Sequence, residues 1–150
     1  MSIERSRVAL AILLASSVSC ASAPKLPVFG TWRIQSYASP GLSAAAPVQS
    51  LAWIGTSASF EPEDARVGGN RCSTPTYTSS TLSAADFQRQ FKVAPSAAGI
   101  SGDSVAVIKV GCGSEWGAEA NTLIVKSPTS LLTPWNGTLF ELVKTEPALK

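Results

Sequence analysis

Leu131-Leu132-Thr133-Pro134-Trp135-Asn136-Gly137-Thr138-Leu139-Phe140-Glu141-Leu142-Val143-Lys144 is the stretch on which the reading of the fold turns. Asn136-Gly137 supplies the positive φ angles that a tight hairpin needs, so residues 131–133 and 138–144 read as antiparallel neighbours. Upstream, Ala106, Ile108, Val110 and Cys112 alternate with Val105, Val107 and Lys109, and residues 123–126 form another short run of the same kind. Near the start of the domain, Trp32 and Ile34 alternate with Arg33 and Gln35, which places the two apolar residues on one face of a strand. Residues 57–60 read as a further strand, preceded by an apolar run at 51–54 that Gly55 ends. Gly68-Gly69-Asn70 turns the chain between residues 65–67 and 71–78, and Pro75 demotes the second of these to an edge or a bulge.

One helix interrupts this pattern. Residues 82–91 carry Phe87 and Phe91 at i, i+4, and Ser83 stands three residues ahead of Asp86, as a capping serine does. Residues 37–47, with Pro40, Gly41 and three successive alanines, have no period and read as a long loop. The fold expected is mainly β: a small antiparallel β-barrel or sandwich of about eight short strands with one mid-chain helix.

The 150 residues are 45% apolar and 15% charged, which fits one folded domain. A net charge of +2 with no Lys/Arg cluster gives no footprint for a nucleic acid. The absence of histidine excludes Ser/His/Asp triads and imidazole-bound zinc. No Gly-x-Ser-x-Gly elbow is present, so no enzyme and no cofactor are expected. Glu61, Glu63 and Asp64 are the densest carboxylates, and they read as a solvated turn.

Residues 1–20 read as an export signal: Arg5 and Arg7, an apolar core at 8–15, then small residues up to Cys20. Residues 21–27 read as a tether, and 28–150 as the domain. With Cys20 spent, Cys72 and Cys112 remain as an even pair in an oxidising compartment, and a disulfide between them is expected; two buried thiols are the alternative.

Ser17-Val18-Ser19-Cys20 resembles a bacterial lipobox, which implies lipidation of the Cys20 thiol. Ordinary signal-peptidase cleavage after Ser19 or Ala21 is the alternative. Ala21 is unlike the Asp that retains lipoproteins at the inner membrane, so the resemblance implies an outer-membrane anchor facing the periplasm; a soluble periplasmic or secreted protein follows from the alternative. Gly30-x-Trp32 near the mature N-terminus, the short strands after it and the closing Trp135-x-Gly137-x-x-Phe140-x-Leu142 resemble the lipocalin-like and META-type barrels of bacterial envelopes. The resemblance spans residues 28–144 and implies that Trp32 plugs one end of the sheet.

For contact residues, the glycine-rich loop at 111–120 stands out, with Glu115 and Trp116 beside Cys112; Trp135 at the hairpin is the next candidate. Each tryptophan reads either as a partner anchor or as core packing. The function expected is that of a non-catalytic cell-envelope binding protein for a small apolar or cell-wall ligand. The alternative is a protein that inhibits or neutralises an envelope hydrolase such as lysozyme. A filled interior favours the protein partner, and a cavity of several hundred Å³ the small ligand.

Overall fold

A computed structural model describes residues 25–40, 47–113, 116 and 121–146. Nine strands form one antiparallel sheet in the order β4-β3-β2-β1-β9-β8-β7-β6-β5, curled into a half-barrel. The strands are β1 (Gly30–Ala38), β2 (Ser57–Phe60), β3 (Ala65–Val67), β4 (Asn70–Cys72), β5 (Thr76–Ser83), β6 (Ser104–Gly111), β7 (Thr122–Ser127), β8 (Ser130–Trp135) and β9 (Thr138–Thr145). Helix α1 (Pro47–Trp53) precedes β2, and helix α2 (Ala84–Phe91) follows β5 directly. A 3₁₀ turn at Ser96–Ala98 leads towards β6.

The hairpin that anchored the sequence reading is present. Trp135 pairs with Thr138, and Asn136 and Gly137 both have positive φ, 49° and 79°, as a type I′ turn requires. Strand β1 buries Trp32 and Ile34 and exposes Arg33 and Gln35. The Trp32 indole donates to the carbonyl of Val28 at 2.8 Å, and the Lys144 ammonium lies 5.0 Å from its ring centroid.

Three elements differ from expectation. The mid-chain helix starts at Ala84 rather than at residue 82, because Leu82 and Ser83 still pair with β6. Its cap is the expected one: the Ser83 hydroxyl accepts from the Asp86 amide at 3.1 Å. Residues 71–78 split at Pro75, so that β4 ends at Cys72 and a long hydroxyl-rich β5 begins at Thr76. A second helix, α1, takes in residues 51–53 of the apolar run. Four residues are too few for periodicity to separate strand from helix, and Pro47 occupies the helix's first position, where its missing N–H costs nothing.

The sheet has a core on each side. Trp32, Ile34, Phe60, Ile108, Leu123, Leu131, Phe140 and Leu142 fill the concave face. Val105, Val107, Ile124, Leu132 and Leu139 lie on the convex face, under Phe87, Val93 and Ile100. Neighbouring residues such as Ile108 and Val107, or Leu131 and Leu132, are therefore buried on opposite faces. Phe87 and Phe91 pack together with ring centroids 4.7 Å apart, and full burial of a ring such as Phe87 is worth roughly 1.5–3 kcal/mol.

Cys72 and Cys112 form a disulfide with a Cα–Cα distance of 6.0 Å. It ties the last residue of β4 to the residue after β6, and so draws the two edges of the sheet together at one end. Tyr77 of β5 reinforces the seam: its hydroxyl donates to the Glu61 carbonyl at 2.8 Å, and its ring meets Phe29 edge-on at 5.1 Å.

Candidate functional site

Helix α1 is turned the wrong way for a helix that serves the core. Its buried residue is Ser50, at 1% exposure, while Val48 is 72% and Leu51 59% exposed. Ile54, just past the helix, is also exposed. The helix is held by Trp53, whose ring lies 5.9 Å from that of Trp135 and 6.4 Å from that of Phe140. Tyr37, near the end of β1, completes the group against Phe140 at 6.1 Å. Phe140 is buried and the other three rings are half-buried. Two of these rings come from the β1–β9 register, which sets Tyr37 opposite Phe140, and a third from the hairpin that starts β9. The result is an aromatic floor under an exposed aliphatic surface.

On the convex side of the same strand end lies a cleft of about 290 Å³, bordered by Tyr37, Pro40, Ala98, Lys126, Leu132 and Glu141. Its polar group is an ion pair: the Lys126 ammonium donates to Glu141 Oε1 at 2.7 Å, each side chain about a quarter exposed. Ser130 donates to the same oxygen at 2.7 Å, and Ser36 to Oε2 at 3.3 Å. Burial pushes the Glu141 carboxyl up, but the bonds from Lys126, Ser130 and Ser36 together outweigh it and leave it below the usual carboxylate range. Gly99 makes room for the lysine. Its φ is +73°, and a Cβ there would stand 3.0 Å from Lys126 Cε. With its carboxylate bonded by three donors and its ammonium paired, this cleft can orient a small polar ligand.

Of the residues singled out by sequence, Trp135 belongs to the aromatic floor. Trp116 is half-buried and packs against the concave core. Its indole N–H is shut off from solvent with no hydrogen-bond partner among the described residues. Glu115 and Cys20 lie outside the described residues. Trp116 and Trp135 both pack against the concave core, while Cys72 and Cys112 form the seam of the sheet. Sequence reasoning passed over Val48, Leu51 and Trp53, and took in Tyr37 only as the start of the loop at 37–47, whereas the structure places it in β1. A signal for Trp53 existed, since a tryptophan in a short apolar run is costly to leave exposed; nothing local showed that Val48 and Leu51 would face outward. The Lys126–Glu141 pair was legible only through register, because the Asn-Gly turn sets Glu141 opposite Leu132 and Leu132 lies opposite Ile124, two residues before Lys126.

Among the described residues no group of three or more His, Cys, Asp or Glu is placed to hold a metal ion, and no helix is long and apolar enough to cross a membrane. Comparison with known protein families, with curated proteins and with solved structures returned no match to this chain.

Proposed function

We propose that this is a non-catalytic, exported cell-envelope protein that binds another protein through α1 and the aromatic floor beneath it. The observation that carries the reading is the reversed polarity of α1, which buries Ser50 and presents Val48 and Leu51 to the outside. Apolar side chains clustered on one short helix mark a contact surface, whereas scattered ones need no explanation. The concave interior supports the same reading: Trp32, Phe60, Ile34, Leu123, Leu131 and Leu142 are each at most 2% exposed, and the cleft beside Lys126 and Glu141 lies on the convex side of the sheet. A protein that neutralises an envelope enzyme is the kind of function such a surface serves. Export and a lipid anchor at Cys20 belong to this proposal, and mass spectrometry of the mature N-terminus tests them.

The second reading, a small ligand, has the cleft beside Lys126 and Glu141 in its favour. One experiment separates the two. Envelope extract is passed over the parent protein and over a Val48→Asp/Leu51→Asp variant, and captured proteins and solvent-extracted small molecules are identified. A protein captured by the parent is then purified and its affinity measured. The expected result is one partner whose affinity for the variant is weaker by about 2 kcal/mol or more, with the variant's melting temperature unchanged. Equal affinity for both proteins, or a co-purifying small molecule without a protein, overturns the reading.

A further inference from the structure

Strand β5 ends the sheet, and among the described residues no strand lies beyond it. It pairs with β6 at eight successive positions, from Thr76↔Gly111 to Ser83↔Ser104, without a register shift. Its residues Thr78, Ser79, Ser80 and Thr81 are all exposed. The strand, Thr-Tyr-Thr-Ser-Ser-Thr-Leu-Ser, contains no charge, no proline and no glycine. Edge strands are normally blunted by such residues, by bulges or by shortness, since an open edge is a row of unpaired donors and acceptors.

We propose that a second copy of this chain pairs with the β5 edge, antiparallel, about a twofold axis through Ser80. Two identical strands that meet antiparallel match donor to acceptor along their length, so each edge is its own complement. The axis sets Ser80 against Ser80, Ser79 against Thr81 and Thr78 against Leu82. In each pair the two residues share a face of the joined sheet, because their numbers differ by an even count. Small hydroxyl side chains let the backbones approach, and Ser–Thr pairs are among the favourable cross-strand neighbours. No charge on β5 opposes self-pairing, whereas charge does at the opposite edge. There β4 has three residues, and a copy laid on it would bring Arg71 and its neighbour Arg66 close to their own duplicates. Among the described residues β5 is the one long, uncharged edge, so assembly through it closes at two copies rather than growing into a fibre.

An eight-residue edge buries less than the ~1,600 Å² of a standard interface, so the dimer is a weak one that forms as concentration rises. Sedimentation equilibrium of the full mature chain, carried up to about 1 mM, reads it directly. The parent is expected to shift from monomer to dimer and to stop there, with amides of β5 gaining hydrogen-exchange protection as it does. Ser80→Lys sets two like charges face to face and weakens dimerisation by about tenfold or more; Ser80→Glu does the same, and an equimolar mixture of the two recovers it. Dilute-solution melting curves show that both variants fold. A parent that stays monomeric, a Ser80→Lys protein that dimerises like the parent, or a mixture no better than its components overturns the proposal. So does β5 protection that appears only on adding an extended segment of a different protein.

Discussion

Strand β4 closes one side of the sheet with three residues, among them Arg71, which donates to Asp64 at 2.6 Å while Arg66 of β3 donates to the other oxygen of the same carboxylate at 2.8 Å. Strand β5 closes the other side with eight residues that carry no charge and keep an unbroken register. The first edge is short and wrapped in ions, and the second is long and bare. Yet the two are neighbours in sequence, separated only by Ser73-Thr74-Pro75, and the Cys72–Cys112 disulfide ties β4 to the end of β6, the strand beside β5. A curled open sheet can thus leave one edge available only because its other edge and its seam are secured.

The disulfide carries the largest share of that security. Replacing Cys72 and Cys112 by alanine is expected to cost about 4 kcal/mol in the chain-entropy model, since the bridge spans a separation of 40 residues. Urea unfolding of the variant against the oxidised parent measures it. A loss under about 1 kcal/mol would show that packing alone holds the edges together.

Next comes the seam's hydrogen bond. Tyr77→Phe removes the donor to the Glu61 carbonyl and should cost about 1.5 kcal/mol. The same phenol makes the seam sensitive to alkali. Burial first, and the nearby Glu61 charge second, push its pKa up to about 12. Between the ordinary tyrosine value near 10 and that raised value, the unfolded chain has lost the proton and the folded one keeps it. Stability therefore falls as pH rises through this window, and Tyr77→Phe should flatten that limb of the melting profile. An unchanged limb would place the alkaline loss elsewhere.

A smaller effect belongs to the far end of β5, where Ser83 is both the last strand residue and the cap of α2. Ser83→Ala is expected to cost about 1 kcal/mol, read by chemical denaturation; no loss would mean that Phe87 alone holds the helix. The smallest effect lies at the charged edge. The bonds from Arg71 and Arg66 hold the partly buried Asp64 carboxyl below its ordinary value, so their contribution is present at neutral pH and lost as pH falls through that lowered value. Asp64→Asn should lower the melting temperature only slightly, and less in high salt, where exposed ion pairs are screened. A salt-independent loss would assign Asp64 a role in the turn instead.

The β8–β9 hairpin, the alternation of β1, the Ser83 cap and the Cys72–Cys112 pair were legible in the sequence because each depends on residues close in the chain or on simple counting. The helix at 47–53 was not, since a run as short as 51–54 fits either period. The strand β5 was cut short in the reading at Thr78, because serine and threonine are turn formers as readily as strand formers when no neighbour is known. The candidate surface was half legible: Trp135 stood out beside its turn, but Trp53 and Tyr37 join it only through pairing and packing.

By itself the sequence determined which residues alternate, where the chain turns and which cysteines remain to pair. These follow from backbone geometry and local sterics, which act over a few residues. Only the tertiary structure decided what lies over each face. Val107 and Ile108 are equally apolar, and one meets α2's core while the other meets Trp32's because strands distant in sequence curl the sheet between them. The same holds for Ser50 inside and Leu51 outside: a helix shows its own stripes, but which stripe turns inward is set by the rings of Trp135 and Phe140, brought against the helix's own Trp53 from 80 and more residues away along the chain.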